Sequence, residues 1–240
     1  METKINVSQR RPTIREISRS LVGATALAVL GAIVAFVSIF AVSPLYAIVG
    51  VEWPAFGELL NSYVVQPGFG LVAAGYIWWR NDYNPFDRIQ TPSPEGLTWI
   101  ALAPIVYELA VRVVTPLLPM MGLSHGGHSS GTAKWRIFLN EPELVTPRLR
   151  IRFLIMAPME KLLYRGVIHD TLEGTIGSPG RILVGGLLFG GMHLFLSGGL
   201  VSVLLLTILG LLLAAGYERT ENLIVPIMAH AGYWLFFIPL

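Results

Sequence analysis

Seven apolar windows run through the chain, near residues 21–42, 58–79, 97–118, 150–170, 181–197, 199–217 and 223–239. Most approach the roughly 20 residues that an α-helix needs to cross a hydrocarbon core about 30 Å thick. Backbone N–H and C=O groups cannot be left bare in lipid, so windows of this kind have to be helical. The expected fold is all-α: a polytopic transmembrane helical bundle of about seven spans, or eight if the central polar segment holds a further crossing. Only 13% of the residues are charged and 53% are hydrophobic, whereas a soluble domain carries about 25% charge. The 240 residues leave room for one transmembrane domain, 1–240, in which residues 1–20 form a basic tail and 150–240 hold the chemical motifs.

The formal charge is only +2, so no nucleic-acid surface is implied. The absence of cysteine removes disulfides, thiolate catalysis and cysteine-based metal sites together. The tail (Lys4, Arg10, Arg11, Arg15, Arg19) precedes an apolar run from Leu21 to about Val42, too long for the roughly 7–15-residue core of a cleaved signal. Positive-inside reasoning puts the N-terminus in the cytoplasm, although Lys134, Arg136, Arg148, Arg150 and Arg152 then fall in a loop on the far side. Gln66-Pro67-Gly68 interrupts the second window, which ends at Trp78, Trp79 and Arg80 as an interfacial belt would. Glu108 and Arg112 stand at i, i+4, the spacing of a self-satisfying ion pair. His125 and His128 have an H-x-x-H spacing, but they sit in a Gly/Ser-rich stretch that reads as a solvated loop. His169 and Asp170 mark the end of the fourth helix.

Three ionisable residues stand inside apolar windows: Glu160, His193 and His230. At bilayer depth such groups cost several kcal/mol unless they face a polar cavity or a partner. They therefore imply an intramembrane polar cavity. A glutamate with two histidines suffices for two mechanisms. The carboxylate can act as general base on water while an imidazole polarises a carbonyl or protonates a leaving amine. Alternatively Glu160, His193 and His230 can hold a divalent metal such as zinc, with an open position for water. The small residues Gly190, Gly191, Ala231 and Gly232 beside the histidines allow close helix approach.

The order of these pieces resembles the CPBP family of intramembrane proteases, which includes the CAAX prenyl endopeptidases and bacteriocin-processing or self-immunity proteins. That family carries Glu-Glu-x-x-x-Arg, then Phe-x-x-x-His, then His-x-x-x-Asn (or Asp) on successive helices. The resemblance spans roughly residues 150–240. Glu160 matches the leading glutamate, Arg165 the arginine (within Tyr164-Arg165-Gly166), Phe189 and His193 the second motif, and His230 the third histidine. It implies that Glu160 and His193 activate water and that His230 helps stabilise the oxyanion. It also implies a membrane-associated peptide or protein substrate, prenylated in part of the family, and an integral protein of the bilayer, expected in a prokaryotic plasma membrane.

Two positions depart from the pattern. Lys161 stands where the family has its second glutamate, and Trp234 where it has asparagine. Lys161 and Arg165 then place two cations on one helix face at membrane depth, with Glu160, Glu108 or Asp170 as candidate counter-charges. The chain reads as an intramembrane endopeptidase; the alternative is a catalytically weak or inactive member that serves as a membrane peptide-binding scaffold or immunity-type protein. A proton-relaying transporter is a third class, disfavoured because two corresponding interrupted helices are missing.

Overall fold

The computed structural model describes residues 11–49, 54–123, 143, 145–194 and 199–233. Among these residues there is no strand, and seven helical segments follow one another: α1 (Ile14–Val49), α2 (Pro54–Trp79), α3 (Pro94–Val114), a composite α4 (145–171), α5 (Ser178–His193), α6 (Leu200–Thr220) and α7 (Ile224–Tyr233). Three stretches are long and apolar enough to cross a bilayer by length and composition: Ile14–Val42, Pro94–Met121 and Leu200–Thr220. The expected seven spans are thus seven helices of unequal reach. The 16 residues of α5 extend about 24 Å at 1.5 Å per residue, short of a full core thickness.

α1 starts a full turn or more before the apolar run. Thr13 and Glu16 form a reciprocal cap, with the Thr13 N–H donating to Glu16 Oε2 at 2.7 Å and the Glu16 N–H donating to Thr13 Oγ1 at 3.2 Å. This satisfies two N–H groups that the helix end would otherwise leave bare. Along α1, Ala24, Ala28, Ala32 and Ala35 are buried, a stripe at helical spacing that lets α2 approach closely. A Cβ on Gly68 would stand 2.8 Å from the Ala35 Cα. α2 continues through Pro67, so the expected interruption is absorbed within one helix.

The helix ends sort into two rims. One gathers the start of α1, the end of α2, the start of α3, the end of α4, the start of α5, the end of α6 and the start of α7. Asp170 accepts from the hydroxyls of Tyr83 and Tyr217, each at 3.1 Å, and pairs with Arg88 Nε at 3.5 Å. Arg88 also donates to Glu173 at 2.9 Å. Glu218 takes both Arg181 and the His169 Nε2, the latter at 2.6 Å. The buried Asn222 accepts the Ile224 N–H at 3.0 Å and donates to the Gln90 carbonyl at 2.9 Å. The Leu223 N–H donates to the Arg88 carbonyl at 2.8 Å.

Candidate active site

α4 carries the first motif, and its geometry is unusual. Two π-helical stretches, Arg152–Met156 and Leu162–Ile168, flank the short α-helical segment Ala157–Lys161. Pro158 supplies the local cause, because it has no N–H to give the carbonyl four residues back. Just before it the Ala157 N–H reaches the Arg152 carbonyl, five residues back. Isolated π turns concentrate at functional sites, and these two set the azimuth of Glu160 and Lys161 relative to the rest of the helix.

Glu160 is buried, with its Oε2 3.6 Å from the His230 Nδ1 of α7. Its Oε1 stands 4.0 Å from the Lys161 ammonium. Lys161 Nζ in turn lies 3.7 Å from the centre of the Phe189 ring. Phe189 and His193 share one face of α5 at i, i+4; the His193 Nδ1–H donates to the Phe189 carbonyl at 2.9 Å. That bond fixes Nδ1 as a donor and leaves Nε2 as the nitrogen able to accept in the neutral ring. The imidazoles of His193 and His230 meet the Phe189 ring edge-on, with centroids 5.1 and 5.9 Å away. Lys161, His193 and His230 therefore surround one aromatic ring, and Glu160 neighbours two of the three, Lys161 and His230.

Arg165 is fully buried and donates to the Gly210 carbonyl of α6 at 2.8 Å. Its guanidinium also lies 5.8 Å from the Phe189 ring centre. Gly185 makes room for it, since a Cβ there would stand 2.9 Å from an Arg165 nitrogen. Of the expected small residues, Gly190 does sit against α6, where a Cβ would fall 2.7 Å from the Thr207 backbone nitrogen, whereas Gly191 faces open space. Trp234, His125, His128, Lys134 and Arg136 lie outside the described residues.

The counter-charge question resolves onto Glu160. Glu108 is taken by Arg112 at 2.8 Å, and Asp170 by Tyr83, Tyr217 and Arg88 at the rim. Sequence reasoning placed Arg152 in a loop. It lies instead in α4, buried, and its charge reaches His230. The signal for it was its distance of eight residues from Glu160, about two helical turns.

Among the described residues, the formally charged side chains that are buried are Arg152, Glu160, Lys161 and Arg165. Lys161 and Arg165 beside Glu160 make a site that attracts negative charge. No three His, Asp or Glu side chains among the described residues gather as a metal-binding group. A divalent cation bound by Glu160, His193 and His230 would have to displace the Lys161 ammonium from its neighbouring carboxylate. This donor set fits such an ion poorly, and what it can do chemically is to hold and deprotonate a water beside groups that stabilise an anion.

No curated protein and no solved structure matches the chain. The family described as Type II CAAX prenyl endopeptidase Rce1-like matches residues 142–236, a segment that runs from just before α4 to just past α7 and contains Glu160, Lys161, Arg165, Phe189, His193 and His230. That segment is similar to the CPBP/CAAX protease family.

Proposed function

We propose that the protein is an intramembrane endopeptidase that hydrolyses a peptide bond near the membrane interface, using a water activated by Glu160. The observation that carries this reading is the meeting of the Glu160 carboxylate with His230 at 3.6 Å, beside the ring on which His193 also rests. Glu160 takes a proton from water, and the resulting hydroxide attacks the scissile carbonyl carbon. His193, through Nε2, assists in orienting the water. His230 faces the same space and helps to stabilise the tetrahedral oxyanion. Collapse breaks the C–N bond, and the leaving amine takes the proton held by Glu160. Every proton in this sequence moves between Glu160, water and the substrate.

The substrate is a membrane-tethered peptide or protein. An apolar cavity of about 710 Å³ opens between α1 and α5, lined by Ala28, Ala32, Phe36, Leu188 and Met192 among others. It borders the helix that carries His193, and its size and lining suit a lipid-like tail on the substrate. The test is reconstitution in liposomes with a membrane-tethered peptide library, half of it farnesylated. Cleavage is expected from the wild type and not from Glu160→Ala or His193→Ala. Cleavage that survives both substitutions would falsify the assignment.

A second reading draws on Lys161, which puts a cation in place of the family's second glutamate. On that reading the chain binds a membrane peptide without cutting it, as a scaffold or immunity-type protein. Peptide binding without turnover, in both the wild type and Lys161→Glu, would favour it.

A further inference from the structure

Lys161 is completely buried, and among the described residues its ammonium makes no hydrogen bond. The nearest carboxylate oxygen, Glu160 Oε1, is 4.0 Å away, beyond hydrogen-bond reach. The face of Phe189 lies 3.7 Å from Nζ, and a ring face answers only one of the three N–H directions an ammonium offers. A buried donor without an acceptor costs stability, and a buried charge costs more. Stability alone would favour methionine at this position. The cost has a use only if an acceptor is brought to the ammonium.

Arg165 also has buried nitrogens without an acceptor among the described residues, Nε and Nη1, but its Nη2 donates to the Gly210 carbonyl and ties α4 to α6, and the cation within 4.0 Å of Glu160 is Lys161. Lys161 therefore borders the water-activating carboxylate with donors still to give. Lys161 and Arg165 both face the Phe189 ring, and when Glu160 takes its proton the negative charge of the site passes to the oxyanion.

Resting on the endopeptidase reading above, we propose that Lys161 is a catalytic residue of this chain, its ammonium donating a hydrogen bond to the oxyanion of the tetrahedral intermediate. The carbonyl π electrons move onto oxygen as the hydroxide adds to carbon, and Nζ–H donates to that oxygen without transferring its proton. On collapse the electrons re-form the C=O bond, the C–N bond breaks, and Lys161 is left as it began. The arrangement gives the site a fixed donor close to the base, poised where charge appears and not where it already exists.

The experiment measures kcat, KM and melting temperature in proteoliposomes, with a membrane-tethered peptide that the wild type cleaves. The variants are Lys161→Met, Lys161→Arg, Lys161→Ala and, as reference, Glu160→Ala. Lys161→Met is expected to lose about 10²–10³-fold in kcat, the size of a lost oxyanion donor, with KM little changed and a melting temperature no lower than wild type. Lys161→Arg, or Lys161→Ala supplied with ethylammonium ions, should recover part of that loss, against a sodium control of equal ionic strength. A merely structural lysine would lose melting temperature along with rate and would not respond to ethylammonium. Wild-type kcat in Lys161→Met overturns the proposal, as does a loss that neither arginine nor ethylammonium relieves. If the wild type cleaves nothing, or if cleavage survives Glu160→Ala, the endopeptidase reading itself falls and takes this inference with it.

Discussion

Phe189 touches more of the site than any ionisable residue does. Its ring meets Tyr164 at 5.3 Å between centroids, both imidazoles edge-on and the Lys161 ammonium on its face. Phe189→Leu keeps the position apolar but withdraws that shared wall. Destabilisation of about 1–3 kcal/mol is expected. Turnover should fall much further, by about 10²-fold, since displacements near 1 Å suffice for that. Parallel melting and kinetic measurements would check it, and equal loss in both would refute the idea of a positioning wall. The donor set makes a second claim at this scale: EDTA or 1,10-phenanthroline should leave cleavage unchanged. Loss of activity on chelation, restored by zinc, would contradict it. Glu160, His193 and His230 were legible in the sequence because a polar residue inside an apolar window has few innocent explanations. The partner of Lys161 was less so: the i, i+4 spacing already claims Glu108 for Arg112, but only the fold brings Tyr83, Arg88 and Tyr217 to Asp170 and leaves Glu160 as the acid beside Lys161.

At the scale of elements, the join between α5 and α6 is the most demanding. A Cβ on Gly210 would stand 2.9 Å from the Gly186 carbonyl oxygen and 3.1 Å from Phe189. Backbone cannot yield as a side-chain tip can, so Gly210→Val must push α6 away from α5. It would also shift the carbonyl that Arg165 uses. A cost of about 1–3 kcal/mol is expected from overpacking, read as a lower melting temperature in detergent; an unchanged melting temperature would mean the two helices are free to part. The glycines were readable as packing residues, yet which of them touch a neighbour was not, as the contrast between Gly190 and Gly191 demonstrates. Helix limits followed the same logic. The apolar run announces α1 from Leu21, while the Thr13–Glu16 cap that starts it earlier is a polar signal. Whether the carbonyl that Pro158 leaves free leads to a kink or to π turns depends on the helices around it.

For the whole molecule, the alternation of seven helices puts Glu95, at the start of α3, and Met121, beyond its end, on opposite rims. The rim that holds Glu95 also holds Arg15, Arg19, Arg80, Arg88 and Arg181, so by the positive-inside tendency it is the one expected in the cytoplasm. The chain has no cysteine, which makes single substitutions clean reporters. In sealed cells, Met121→Cys should react with an impermeant maleimide and Glu95→Cys only after lysis; labelling of both from the same side would refute this topology. Outside the site, the ion pairs that join different helices among the described residues lie on the Glu95 rim: Arg88 with Asp170 and Glu173, His169 and Arg181 with Glu218. Helix ends clamped in this way are expected to be the last to separate, so any parting of the bundle that admits a substrate to Glu160 would leave Asp170 and Glu218 in place, as a hinge leaves its pin.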